Sequence, residues 1–65
     1  MRIDRIKFAI ELVRQDMNTT EVADKAGLSR ATVSSVKRGA SCNTETAIKI
    51  ANALGVELET ILEER

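Results

Sequence analysis

Histidine, proline, tryptophan and tyrosine are all missing from this sequence, and Phe8 is its only aromatic residue. Without histidine, a zinc site would rest on one thiol and carboxylates, which is poor ligand material. The same absence removes the Ser–His and Cys–His couples of nucleophilic catalysis. No G-x-x-x-x-G-K-[ST] phosphate loop occurs either. Cys42 is the single cysteine, so no internal disulfide forms and a reducing, cytoplasmic setting is expected. No apolar run approaches the ~18 residues of a membrane span, and no signal-peptide pattern is present. The carboxylate pairs Glu57–Glu59 and Glu63–Glu64 read as surface solubility rather than an acid/base couple. An enzyme, a cofactor or metal carrier and a membrane protein are therefore not expected.

What is present fits a single small domain over residues 1–65. A chain of this size buries about 60% of its unfolded surface, so a deep catalytic cleft is hard to build. Apolar residues make up 43% and charged residues 31%, a globular composition. The plentiful Ala, Leu, Ile, Glu and Lys favour helices. Formal net charge is zero, yet the charges are segregated. Lys25, Arg30, Lys37 and Arg38 fall in a stretch without acids, whereas Glu57, Glu59, Glu63 and Glu64 face Arg65 alone. Distribution matters more than the sum when a polyanion is the candidate partner.

Five helical segments separate at clear punctuation. The first spans about Arg2 to Asp16, with Ile3, Ile6, Ile10, Val13 and Met17 at three- and four-residue steps. Phe8 and Leu12 form a second stripe, expected to be exposed and available to a partner. Asn18 reads as the N-cap of helix two (about 19–26), with Glu21 placed for a capping box. Gly27 ends it. Ser29 then caps a third helix (about 30–38) that stops at Gly39. A tight glycine-containing link between two short helices is the helix-turn-helix arrangement. Asn43 caps a fourth helix (Thr44 to Leu54) closed by Gly55, and a short fifth helix, about Leu58 to Glu63, must dock on the rest.

On a wheel at 100° per residue, Val33 and Val36 point inward. Ala31, Ser34, Ser35 and Arg38 share the opposite side, with Arg30 and Thr32 on its flanks. Lys37 sits beside Val33, its stem able to pack while its amine reaches solvent. This outward face is small, polar and basic, which suits the major groove of DNA.

The stretch "MNTTEVADKAGLSRATVSSVKRG", followed by "ETAIKIANALGVELETIL", resembles the phage repressor and Cro-type helix-turn-helix family. Its most specific features are the Ala23–Gly27–Ser29–Val33–Gly39 spacing and the "IANALGV" segment. The resemblance implies an all-α, lambda-repressor-like five-helix bundle that places helix three in the major groove. Carried over by position, Arg30, Ala31 and Ser35 face base edges, with Ser34 close by. Asn18, Thr19, Arg38, Ser41 and Asn43 hold the DNA backbone. Two positions depart from the family. Thr19 stands where relatives often carry glutamine. Leu12 and Lys37 stand where many relatives pair an Arg with a Glu. The expectation is a small regulator, a repressor, reading double-stranded DNA as a homodimer on a palindrome. No cofactor, membrane or small-molecule ligand is expected. Helix five, the helix four–five corner at Val56 and the helix one stripe are the candidate dimer surfaces. The rival reading is a protein-binding module on the same fold, an antitoxin or adaptor.

Overall fold

The structure, a computed structural model, describes residues 1–63; Glu64 and Arg65, part of the charge pattern above, lie outside the described residues. Five helices follow one another: α1 (Arg5–Arg14), α2 (Thr19–Ala26), α3 (Arg30–Lys37), α4 (Thr44–Leu54) and α5 (Leu58–Ile61). The all-α helix-turn-helix bundle expected from the sequence is the fold observed.

The expected caps form. Asn18, Ser29 and Asn43 each accept a backbone N–H from the residue three positions on. Each such bond satisfies one of the donors that a helix start leaves unpaired, typically worth ~1 kcal/mol. Gly27 adopts a left-handed conformation (φ 71°) and closes α2 through its N–H to Ala23 O.

Both ends of the chain differ from expectation, for a common reason. The first helix begins at Arg5, not Arg2, because the Asp4 carboxylate accepts the N–H groups of Ile6 (2.8 Å) and Lys7 (3.0 Å) and so fixes the start. Residues 1–3 are extended instead. Arg2 pairs with Ser41 and Ile3 with Leu62 in isolated antiparallel bridges. Cys42 N–H donates to Met1 O (2.8 Å), Asp4 N–H to Ile61 O (2.8 Å) and Glu63 N–H to Arg2 O (3.1 Å). The fifth helix therefore stops at Ile61 rather than Glu63, since Leu62 turns extended to meet Ile3. This clasp ties the start of the chain to the α3–α4 loop and to the end of α5.

The core is aliphatic around one ring: Phe8, Ile3, Ile50, Ile61, Val22 and Val33 are each at most 1% exposed. Burying such a side chain stabilises by roughly 1.5–3 kcal/mol. The exposed stripe of α1 is the reverse of the one expected. Phe8 and Leu12 are buried, whereas Ile6, Ile10 and Val13 are 68%, 49% and 81% exposed. The two sets lie roughly 150° apart at 100° per residue. Periodicity alone shows two apolar faces and does not rank them. The face that carries the one large aromatic fills the core, because it removes the most area from water.

Candidate nucleic-acid interface

The geometry of α2 and α3 follows from a few local bonds. Asn18 Oδ1 accepts from Glu21 N–H (2.9 Å), and Glu21 Oε1 accepts from Asn18 N–H (3.4 Å). That reciprocal box sets where α2 starts. Val22 and Ala23 bury its inner side. Across the turn, Leu28 N–H donates to Ala23 O (3.0 Å), so the link is held from both sides. Ser29 Oγ then accepts from Thr32 N–H (3.1 Å) and shares a hydrogen bond with the Thr32 hydroxyl (2.8 Å). Thr32 is thereby committed to the cap. Val33 and Val36 anchor α3 in the core, which fixes the outward side of the helix.

On that outward side Arg30, Ala31 and Arg38 are exposed, while Ser34 and Ser35 are half-buried. Arg38 is the C-cap of α3, its N–H shared among the last carbonyls. Lys37, exposed, lines one shallow depression together with Asn18, Thr19 and Asp16. Helix α3 thus brings a cation to the N-terminus of α2, where backbone N–H groups and the helix dipole already favour an anion. Asn18 and Asn43 each spend the side-chain carbonyl on a cap. Their amide NH₂ groups remain as donors. Ser41 is exposed and stands against Arg2.

Electrostatically the face is less neutral than the chain. Ion pairs join Arg14 to Glu11 (2.9 Å) and Lys49 to Glu45 (3.2 Å). Among the described residues, Arg30, Lys37 and Arg38 form none. Glu11 is the one buried charged residue among them, and it also accepts from Gln15 Nε2 (3.2 Å). Its burial was not legible, since it lies between the two apolar stripes. Leu12 packs into the core, so the position that carries an arginine in many relatives is here apolar. Cys42, half-buried in the α3–α4 loop, has its thiol pushed above its ordinary pKa mainly by burial, against a weaker opposing pull from the amino terminus. Two further cations, Arg2 and Arg5, line one depression with Arg38. Sequence periodicity placed both on the first helix and gave no sign of that proximity.

No helix among the described residues is long and apolar enough to cross a membrane. No group of three His, Cys, Asp or Glu side chains able to hold a metal occurs among them.

Comparison with solved structures finds the whole fold inside much longer chains. A structure of native PhpD with cadmium matches 98% of this chain at 26% identity, with a TM-score of 0.82. A mutant of hydroxyethylphosphonate dioxygenase matches equally widely at 26% identity, with a TM-score of 0.85. In both cases this chain spans only 14% of the matched chain's length. No curated protein sequence matches. The helix-turn-helix family model matches residues 10–61, which takes in α2, the turn, α3 and α4. The chain belongs to the helix-turn-helix family of Cro and phage-repressor type, a family of DNA-binding transcription regulators.

Proposed function

We propose that residues 1–65 act as one sequence-specific DNA-binding unit, a small cytoplasmic repressor whose helix α3 enters the major groove. The observation that carries this reading is the outward face of α3. It is small and polar, holds cations without an acidic partner among the described residues, and is set by two buried valines behind it. A major groove about 12 Å wide admits one helix. In it Arg30 donates to guanine O6 and N7, Ala31 offers a methyl to thymine, and Ser34 and Ser35 bond to base edges. Asn18, Thr19, Arg38, Ser41 and Asn43 hold phosphates at the rim, and the N-terminus of α2 adds its dipole. Repression follows from occupancy of the site.

One such unit makes few base contacts. Two copies on a palindrome, with half-sites about 34–36 Å apart, double them. Ile61 is wholly buried, so at helix α5 only the half-buried Leu58 and Leu62 are left to meet a second copy. The α4–α5 corner, where Ile48 is 44% exposed beside Val56, and the α1 stripe retain apolar surface.

A second reading has one specific observation in its favour. Ile6, Ile10 and Val13 present an apolar stripe to solvent, the feature of a protein-contact module such as an antitoxin or adaptor. Likeness to a segment of a dioxygenase chain adds nothing to either reading, because a fold hosts many functions.

Selection of bound sequences from random duplex DNA separates the two. Enrichment of a short palindrome, with binding that weakens steeply as salt rises, supports the DNA reading. If no duplex is retained at low salt while a protein partner is captured, the DNA reading fails.

A further inference from the structure

Beyond the helix-turn-helix, the structure assembles a second group of cations that the sequence pattern hides. Arg5 lies over Gly39: a Cβ on that glycine would stand 3.1 Å from Arg5 Cδ and 3.3 Å from its Cγ. Gly39 follows Arg38, the C-cap of α3. Independently, Arg2 pairs with Ser41 in an antiparallel bridge, and Cys42 N–H donates to Met1 O. Two separate contacts therefore fasten the two N-terminal arginines to the segment just after the recognition helix. Arg2, Arg5 and Arg38 line one depression.

Asp4 and Glu63 line the same depression. Asp4 has its Oδ1 engaged by the first N–H groups of α1. Neither acid forms an ion pair with Arg2, Arg5 or Arg38 among the described residues. All three arginines are exposed. Three arginines lining one depression, with no ion-paired carboxylate among the described residues, suit phosphate, whose oxygens accept their forked donors.

We propose that Arg2 and Arg5 form a second phosphodiester contact, extending the backbone track from Arg38 and Ser41 along the N-terminal clasp. The proposal rests on the DNA-binding reading and deepens it. In this arrangement the extended residues 1–3 position cationic side chains, and the absence of a side chain at Gly39 is what lets the Arg5 stem lie flat beside Arg38. These contacts carry no base preference, because phosphate oxygens are the same at every step.

The test is the salt dependence of binding to a mixed-sequence duplex longer than two helical turns. Removing one phosphate contact lowers the slope of log K against log salt by about 0.9. The double variant Arg2→Gln/Arg5→Gln is expected to lower it by about 1.8, shrinking the affinity ratio between 50 and 200 mM salt by roughly twelvefold. Arg5→Lys, which keeps the charge, is expected to retain the wild-type slope. Thermal melts of each variant report whether the clasp stays folded. An unchanged slope in the folded double variant, alongside a lowered slope in Arg38→Gln, overturns this proposal and leaves the DNA reading intact. An equal fall in slope for Arg5→Lys and Arg5→Gln also overturns it, since the stem rather than the charge would be acting. Failure of the wild-type protein to bind any duplex at low salt removes the DNA reading and this proposal together.

Discussion

Phe8 and Val13 sit on opposite sides of one helix: the first is wholly buried and the second is 81% exposed. Phe8→Ala is expected to cost about 3–5 kcal/mol by emptying the centre of the core. A chain of 65 residues has a total stability of roughly 3–10 kcal/mol. The variant should therefore lose between about a third and all of its stability, and melt far below wild type by circular dichroism. Val13→Ser should change stability by no more than about 0.5 kcal/mol. A cooperative, near-native melt of Phe8→Ala would contradict this assignment of faces.

The same stripe makes a prediction about association. If Ile6, Ile10 and Val13 meet a protein surface, the triple variant to serine no longer binds there while keeping its melting temperature. Sedimentation across a concentration range reads the outcome for self-association. Unaltered self-association of a dimerising wild type would move the interface to the α4–α5 corner around Ile48.

Gly39 combines a positive φ of 98° with the Arg5 stem 3.1 Å from a would-be Cβ. Gly39→Ala is expected to destabilise by about 1–3 kcal/mol through backbone strain, with the arginine displaced as well. For a domain of this size, each kcal/mol lowers Tm by roughly 4–8 °C. Gly27 also has a positive φ, but nothing lies within 4 Å of its would-be Cβ. Its alanine variant should be the less destabilised of the two. A larger drop in Tm at Gly27 would show that the Arg5 stem adds nothing.

These contrasts show what local chemistry made readable. Asn18, Ser29 and Asn43 could be named as caps because a cap is a bond between residues three apart. Val33 and Val36 could be placed inward because α3 has only one apolar side. Helix α1 has two, and choosing between them needs the shape of the whole core, to which Val22, Ile50 and Ile61 belong together with Phe8. The clasp of Arg2 and Ile3 on Ser41 and Leu62 was out of reach for another reason. Its pairing partners are distant in sequence, and three residues are too few to show a strand period. The proximity of Arg2 and Arg5 to Arg38 follows from that clasp, so it was hidden too.

Glu11, buried between Arg14 and Gln15, offers a local electrostatic test. Arg14 is itself 69% exposed, so solvent screens the pair and its worth is at the low end for a charged interaction. Arg14→Ala is expected to cost about 1 kcal/mol. Glu11→Met, which removes the buried charge and fills similar space, should be close to neutral. Urea melts of both variants check the order. A Glu11→Met variant less stable than Arg14→Ala would show that the carboxylate has a further structural role.

Burial raises the Cys42 pKa, so its thiolate is scarcer at a given pH than that of an unfolded cysteine. Alkylation by iodoacetamide at neutral pH should be slower in the folded protein than in urea. The folded rate should keep climbing at pH values where the unfolded rate has levelled. A folded rate equal to or above the unfolded one would place the thiol in a different environment.

Arg30 and Arg38 stand at opposite ends of α3, and the roles proposed for them separate in one experiment. Arg30 opens the first turn and Arg38 caps the last; in the proposed docking the first reaches base edges and the second the backbone. Arg30→Ala is expected to weaken binding to the selected sequence by roughly 1–3 kcal/mol and to relax preference at one base position. Arg38→Ala should weaken every duplex alike and lower the salt slope by about one. Neither arginine supports the core, so both variants should melt within a few degrees of wild type, and weakened binding then has a cause other than unfolding. Binding isotherms on the selected duplex and on a scrambled one, at several salt concentrations, give both quantities. Equal, sequence-independent weakening in the two variants would make Arg30 a phosphate contact, and the choice of base would then fall to Ala31, Ser34 and Ser35.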